Sequence, residues 1–393
     1  MVDLLDKHKG MADRFQRMLN MGINGLGVTN DKMISPTRAI VGNREILLAG
    51  TNNYMGITFD QRCIEAGQKA LAAFGTGTTG SRIANGSFAM HKELERELAS
   101  FLDLQHCIVF TTGYQANLGM LSGLAGPKDT IYLDADSHSS IYDGCTLSGA
   151  KLVRFRHNDA EDLAKRMSRD DTEGGRLVVL EGIYSMLGDR APLKDFVELK
   201  KKFEFQLLVD DAHSFGVLGP HGRGLGDEAG LEKDVDFVIG TFSKSVGAIG
   251  GFGAGNHPLF ETLRYAMRPY MFTASSSPAS IATSIAALRV LKAEPERRAK
   301  LWANSERLYK GLKGLGFDMG CDVVSPVIAV KMPDELSTIA KWNALFQGGV
   351  YVNMAVPPGT PNRLCLLRCS VSAAHTSEDI DRIISIFKDA VLS

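Results

Sequence analysis

Lys244 sits in Gly240-Thr241-Phe242-Ser243-Lys244-Ser245-Val246-Gly247, directly after the apolar run Asp236-Phe237-Val238-Ile239. A lysine among small polar residues at a strand end can neutralise a phosphate. If its ammonium is desolvated, it can instead become a neutral amine that attacks a carbonyl. A solvated loop lysine is the ordinary alternative, and four other strand ends weigh against it. Cys107–Phe110 runs into Thr111-Thr112-Gly113-Tyr114 at a helix start, where free amides and the helix dipole suit an anion. Thr130–Leu133 leads to Asp134-Ala135-Asp136-Ser137-His138, and an imidazole there can stack on a flat ring. Leu177–Leu180 leads to Glu181-Gly182-Ile183-Tyr184-Ser185-Met186. Leu207–Val209 leads to Asp210-Asp211-Ala212-His213, with Lys244 thirty-one residues beyond that histidine.

One ligand would use all of these groups. Pyridoxal 5'-phosphate needs an amine for a Schiff base and a carboxylate to keep the pyridine nitrogen protonated. It also needs a flat partner over the ring, a donor at the phenolic oxygen and an anion site.

The elements that must position these groups follow from hydrophobic pattern. The six runs, Cys107–Phe110, Thr130–Leu133, Leu152–Phe155, Leu177–Leu180, Leu207–Val209 and Phe237–Ile239, read as apolar, broken only by Thr130 and Arg154, as strands buried on both faces are. Helical segments at 61–74, 90–103, 115–125, 139–148, 159–169 and 194–203 alternate with them or precede them, and long helices are expected at 257–269 and 277–293. The result is an open, mostly parallel α/β sheet, which binds ligands at the carboxyl ends of its strands. The later pattern reads as helix 297–315, strand 325–331, helix 334–347, strand 350–354, strand 364–370 and helix 377–391. The expected organisation is an N-terminal arm at 1–48, a large α/β domain at 49–288 and a small α+β domain at 289–393. Within the arm, an amphipathic helix at 3–20, a Gly/Asn loop and a hairpin about Val41-Gly42-Asn43-Arg44-Glu45 are expected.

Gly75-Thr76-Gly77-Thr78-Thr79-Gly80 spells the dinucleotide fingerprint G-x-G-x-x-G. That fingerprint requires a preceding strand, and here a helix precedes it, so the match is a decoy and a substrate-facing loop is expected.

Composition excludes other classes. The net charge of −1 comes without a basic stripe, which argues against nucleic acid and a polybasic membrane anchor. No apolar run approaches the length of a membrane span, and the first residues carry acids rather than an apolar signal segment. The six cysteines show no C-x-x-C and no zinc spacing, so they read as small buried residues in a reducing cytoplasm, with no metal.

The stretches Thr-Gly-Tyr-Gln-Ala-Asn (112–117), Asp-Ser-His-Ser-Ser (136–140), Glu-Gly-Ile-Tyr-Ser-Met-Leu-Gly-Asp (181–189), Asp-Asp-Ala-His (210–213) and Gly-Thr-Phe-Ser-Lys-Ser (240–245) resemble the α-oxoamine synthases, fold-type I pyridoxal-phosphate enzymes with a seven-stranded-type central sheet. The resemblance runs from about residue 45 to the C-terminus. Arg-Pro-Tyr-Met-Phe-Thr-Ala-Ser (268–275), Val-Asn-Met-Ala-Val-Pro-Pro-Gly-Thr-Pro (352–361) and Leu-Leu-Arg-Cys-Ser (366–370) are most similar to the bacterial branch that acts on L-serine.

The resemblance implies that Lys244 carries the cofactor as a Schiff base and later moves the α-proton. It implies that Asp210 bonds the pyridine nitrogen with Asp211 as its neighbour, that His138 stacks on the ring, and that His213 and Ser185 lie near the phenolic oxygen. Gly113, Tyr114, Thr241 and Ser243 are implied to hold the phosphate, with Thr273 reaching in from a partner subunit. Arg368 is implied to receive the amino-acid carboxylate through a bidentate fork, with Asn53 also coming from the partner of a homodimer with shared sites.

The implied reaction is the decarboxylative condensation of L-serine with a long-chain acyl thioester to 3-ketosphinganine, CO2 and free thiol, the first step of sphingolipid synthesis. Coenzyme A and acyl carrier protein both remain open as the donor's carrier. A cytoplasmic enzyme is expected, with peripheral contact at the inner membrane, where the product must go. Val356 departs from the branch, which carries there an arginine that handles the substrate carboxylate. The rival readings are sister reactions (8-amino-7-oxononanoate synthase, 2-amino-3-ketobutyrate CoA ligase), a plain aminotransferase, and a catalytically dead subunit, which would be expected to lose Lys244.

Overall fold

A computed structural model describes residues 3–20 and 28–391. The Gly/Asn loop expected after the first helix lies largely outside the described residues. Helix α1 (Lys9–Asn20) is followed by β1 (Lys32–Ser35), β2 (Arg38–Val41) and β3 (Arg44–Leu48), with the expected hairpin turn at Gly42-Asn43. Next come α2 (Gln61–Phe74) and α3 (Ala89–Leu102). The alternating part then runs β4 (His106–Phe110), α4 (Gly113–Leu124), β5 (Thr130–Asp134), α5 (Ser139–Ser148), β6 (Lys151–Phe155), α6 (Ala160–Met167), β7 (Arg176–Glu181), α7 (Leu193–Lys200), β8 (Gln206–Asp210), α8 (Leu225–Ala229), β9 (Phe237–Thr241) and β10 (Gly251–Gly255). The chain continues through α9 (Arg268–Met271), α10 (Pro278–Ala293), α11 (Glu296–Gly314), β11 (Val327–Met332), α12 (Glu335–Gln347), β12 (Val350–Tyr351), β13 (Asn353–Ala355), β14 (Cys365–Ser370) and α13 (Ser377–Val391).

The central sheet has seven strands in the order β4-β10-β9-β8-β7-β5-β6. All run parallel except β10, which is antiparallel to both β4 and β9. Alternate side chains of each strand serve opposite faces. Ile131, Leu133, Leu177, Val179 and Leu208 pack with Met120, Leu121 and Ile141 from α4 and α5. Tyr132, Val178, Leu180, Leu207 and Val209 pack with Leu163, Phe196 and Leu288 on the other side. Two-sided burial explains why these strands read as near-continuous apolar runs.

Strand β10 was not among the six expected strands, because Gly-Phe-Gly-Ala-Gly reads as a loop. Its glycines admit a close approach. A Cβ on Gly251 would lie 2.6 Å from the Gly113 Cα, and one on Gly253 would lie 2.4 Å from the Met120 sulfur. Bare backbone here lets α4 settle against the sheet and brings its N-terminus beside β9.

Other expectations are corrected. The helix expected at 257–269 is a 3-10 turn, Phe260–Tyr265, followed by α9. Pro269 cannot sit inside a helix, because it lacks an N–H and clashes with the preceding turn; it opens a new one instead. The strand expected at 350–354 is two strands. β12 pairs parallel with β3, whereas β13 pairs antiparallel with β14. Between them, the Val352 carbonyl accepts from Trp342 Nε1 at 2.7 Å. The strands read as part of an arm thus share a sheet, β1-β2-β3-β12, with a C-terminal strand. The third sheet is β11-β14-β13. All six cysteines are free; five are buried and Cys321 is half-buried. No helix among the described residues is long and apolar enough to cross a membrane.

Candidate active site

Parallel register sets the floor of the site. Glu181 at the end of β7 pairs with Asp210 at the end of β8, and Asp210 pairs with Ile239 of β9, two residues before Thr241. The carboxyl ends of three neighbouring strands therefore deliver Glu181, Asp210 and Thr241 to one edge. A cavity of about 440 Å³ opens there, lined by Gly113, Tyr114, Asn117, His138, Ser140, Glu181, Asp210, His213, Thr241, Ser243 and Lys244, among others.

Lys244 follows β9 across a short turn. Burial pushes its ammonium down from 10.5 to about 8, opposed by the carboxylates of Asp210 and Glu181 and reinforced by the Arg368 guanidinium. A buried ammonium shifted this far is poised to act as an amine. Asp210 is 4% exposed and accepts at both oxygens, Oδ2 from Asn117 Nδ2 at 2.7 Å and Oδ1 from the Ala212 N–H at 2.9 Å. Asp211, its neighbour in sequence, points elsewhere. It accepts from the Leu225 N–H at 3.0 Å and from the Ser214 hydroxyl, and burial raises its carboxyl to about 7.

His138 caps α5, its Nδ1 accepting the Ser140 N–H at 3.2 Å and sharing a 2.7 Å hydrogen bond with Ser140 Oγ. Burial among the cavity groups lowers its pKa, outweighing the pull of Asp210. The neutral ring thus carries its proton on Nε2, and its face remains open. The His138 N–H donates to Glu181 Oε1 at 2.5 Å. Burial, then the nearby Asp210, push Glu181 well above the usual carboxylate range. His213 is buried and shares a 2.6 Å hydrogen bond, Nδ1 to the Tyr54 hydroxyl. Burial, with Lys244 and Arg368 nearby, drives its pKa well down, so it is a neutral imidazole.

The N-terminus of α4 and the start of the Lys244 turn form a cradle. Thr112 caps α4 by accepting the Gln115 N–H at 3.1 Å. Thr241 Oγ1 and Ser243 Oγ lie 2.9 Å apart, and a Cβ on Gly113 would come within 2.7 Å of the Thr241 Cβ. Amides and hydroxyls converge on a spot that only glycine leaves open, which is the chemistry of a phosphate site. Tyr114 stands beside it, half out of the protein and bonded to Asp143.

Four expected site residues do not line this cavity. Arg368 on β14 is 6% exposed and is held by the Ser185 carbonyl, which accepts from Nε at 2.5 Å, and by Ser370 Oγ at 3.0 Å. Ser185 thus meets the arginine through its backbone. Thr273 accepts from Gln115 Nε2 at 3.1 Å within the same chain. Asn53 is committed internally, Nδ2 donating to Thr58 Oγ1 at 2.8 Å and Oδ1 accepting the Ile57 N–H at 3.2 Å. Its neighbour Asn52 faces the arginine instead, with Oδ1 3.4 Å from both terminal nitrogens of Arg368. Val356 is half-buried in the turn after β13, outside the cavity. The Gly75–Gly80 loop is also outside it and is tied to Ser275, whose N–H donates to the Gly80 carbonyl at 2.9 Å.

Sequence reasoning passed over Asn117, Glu181, Asn52 and Tyr54 as site residues. Asn117 and Glu181 lay within singled-out stretches, Glu181 at a strand end and Asn117 one turn into a helix that follows another strand, and those positions were the signal. Tyr54 had none, since it meets His213 across 159 residues.

The residue set fits pyridoxal phosphate. The buried Asn117 Oδ1 has no partner among the described groups, and it faces a cavity that already holds an amine, a paired acid, an open imidazole face and an anion cradle.

Comparison with known proteins agrees with this geometry. The family model described as aminotransferase class I and II matches residues 44–387. A serine palmitoyltransferase of Caulobacter vibrioides is 54% identical over 98% of this chain and 96% of its own length. That of Sphingomonas paucimobilis is 49% identical over 99% of this chain and 93% of its own. A solved serine palmitoyltransferase, crystallised with pyridoxal phosphate as its internal aldimine, superposes with a TM-score of 0.97 at 48% identity, covering 99% of this chain and 98% of that one. With strand ends, cradle and lysine arranged as they are, the chain belongs to the aminotransferase class I and II family, on the branch of the bacterial serine palmitoyltransferases.

Proposed function

We propose that this chain is a pyridoxal-phosphate-dependent acyltransferase that condenses L-serine with a long-chain acyl thioester, releasing CO2 and free thiol and forming 3-ketosphinganine. The observation that carries the reading is the conjunction of a buried, amine-poised Lys244 with Asp210 and His138 in one cavity, with the Arg368 charge of the third sheet near enough to act on Lys244 and His213. When bound, the cofactor supplies an electron sink that stabilises negative charge at the amino acid's α-carbon.

The chain's own groups do the rest. Lys244 would hold the cofactor through its buried amine and, when free of it, would be the cavity's amine able to take the α-proton. Asp210 would keep a proton on the pyridine nitrogen, and the Asn117 and Ala212 donors hold its carboxylate in place. His138, with Nδ1 accepting from Ser140 and its proton on Nε2, would offer its ring face to the cofactor. His213, neutral and tied to Tyr54 through Nδ1, keeps Nε2 as the nitrogen that would meet the cofactor's phenolic oxygen. Gly113, Tyr114, Thr241 and Ser243 take the phosphate. Arg368, pre-aimed by Ser185, Ser370 and Asn52, takes the substrate carboxylate.

A homodimer with shared sites, to which Thr273 contributes across the interface, is part of the proposal. Large exposed apolar side chains support it: Ile249 at the cavity, Tyr265 and Phe272 are 65%, 75% and 72% exposed in the single chain. Action in the cytoplasm is proposed on the same footing, supported by six free cysteines.

The test is a matrix of amino acids against acyl thioesters, on coenzyme A and on acyl carrier protein, with products identified by mass. The expected product is 3-ketosphinganine from L-serine and a long-chain donor. A product from glycine with an acetyl donor, or alanine with a pimeloyl donor, in preference to this one would overturn the reading.

A further inference from the structure

His157 belongs to none of the groups discussed so far, yet it is the most heavily bonded histidine outside the cavity. It follows β6, and both ring nitrogens meet carboxylates: Nδ1 to Asp134 Oδ1 at 2.8 Å, and Nε2 to Asp189 Oδ2 at 2.7 Å. A carboxylate only accepts, so both nitrogens must donate and the ring is an imidazolium. Burial works against that charge, but the bonds to Asp134 and Asp189 outweigh it and raise the pKa to about 10.

The two acids belong to different elements. Asp134 ends β5 and is completely buried, also accepting the Asp136 and Asn158 N–H groups. Asp189 closes the Glu181–Arg190 segment. Asn158, left-handed at φ +53°, adds Nδ2 bonds to Asp189 Oδ2 at 2.9 Å and to the Arg190 carbonyl at 3.1 Å. The Tyr184 ring meets the His157 ring edge-on at 4.5 Å.

That segment is folded back on itself. The Tyr184 N–H donates to the Asp189 carbonyl at 2.9 Å, and the Gly188 N–H donates to the Tyr184 carbonyl at 3.0 Å. It is also pressed against the third sheet: a Cβ on Gly188 would come 2.1 Å from the Val327 carbonyl oxygen, and Arg190 Nη2 donates to the Val324 carbonyl at 2.8 Å. At its tip, the Ser185 carbonyl receives Arg368 Nε at 2.5 Å.

We propose that His157 is a positioning residue: its imidazolium clips the Glu181–Arg190 segment to the end of β5 and so aims the Ser185 carbonyl that orients Arg368 toward the substrate carboxylate. The charge is what makes the clip two-sided. A neutral ring could donate to one acid only, releasing either β5 or the segment. The proposal rests on Arg368 being the carboxylate site, as read above. Lys244, Asp210 and the phosphate cradle are carried by other strand ends; of the cavity groups only His138 and Glu181 adjoin the clip, and they are joined to each other by the His138 N–H, so the effect of the clip falls on amino-acid recognition.

The test uses the cofactor-loaded enzyme and spectral titration with L-serine and with L-serine methyl ester, which lacks the carboxylate. The quantity read is the preference for L-serine over the ester. Arg368→Ala must abolish that preference; if it does not, the assignment of Arg368 fails, whatever His157 does. Given that loss, His157→Gln is expected to reduce the preference about tenfold, with cofactor loading and ester affinity unchanged. Asp189→Asn, which keeps the Asp134 half of the clip, is expected to act in the same direction and decides the matter if His157→Gln does not fold. A wild-type preference in the folded variants, or equal loss of affinity for both ligands, would overturn the proposal.

Discussion

The protonation of Lys244 offers a quantitative test of the site. Burial lowers its pKa from 10.5 to about 8. At pH 7 about one chain in ten then carries the neutral amine, against about three in ten thousand for an unshifted lysine, a gain of roughly 300-fold. The apoenzyme should therefore capture pyridoxal phosphate at a rate that rises about tenfold per pH unit below 8 and levels off above it. An amine-acylating reagent, with Lys244 modification followed by peptide mass mapping, reads the same titration without cofactor. The neighbours predict how variants move the midpoint. Asp210 holds the charge on Lys244, so Asp210→Asn should shift the midpoint below that of the wild type. Arg368 repels it, so Arg368→Ala should shift it upward. A wild-type midpoint near 10.5, or the same direction of shift in both variants, would refute the claim that burial and these two charges set the reactivity.

Two further outcomes follow from contacts. Gly113→Ala would put a Cβ 2.7 Å from the Thr241 Cβ. Overpacking of about 1–3 kcal/mol, felt where the anion sits, predicts a cofactor affinity lowered by about 5- to 150-fold; wild-type affinity by spectral titration would discount the cradle. Asn53→Ala should cost about 1–3 kcal/mol of stability by stranding the N–H of the buried Ile57, leaving serine affinity unchanged. Asn52→Ala should do the reverse, lowering serine affinity several-fold at near wild-type stability, and the opposite pattern in denaturation and titration would reject this assignment of roles.

Much of this protein was legible before its structure. The strands at Thr130–Asp134, Arg176–Glu181 and Gln206–Asp210 announced themselves because a sheet covered on both faces must be apolar at every position. Polar groups directly after such runs can only emerge at the carboxyl edge, which is why Lys244, Asp210, His138 and Gly113 could be named together. The helix read through 257–269 failed on one proline. Strand β10 was hidden because its glycines serve the approach of α4 rather than any strand preference.

Only the tertiary structure decided which of two adjacent asparagines meets the arginine, whereas the family resemblance already implied Asp210 rather than Asp211. Asp210 and Asp211 are adjacent in sequence, as are Asn52 and Asn53. Within each pair the structure turns Asp210 and Asn52 to the site and buries Asp211 and Asn53 in local bonds. The meetings of Tyr54 with His213, of Ser185 with Arg368 and of Asp134 with His157 and Asp189 were likewise invisible. Local pattern encodes which way a strand or helix turns its side chains. Contacts between groups on different elements, 23 to 183 residues apart in these cases, depend on how whole elements pack, and no spacing along the chain records that.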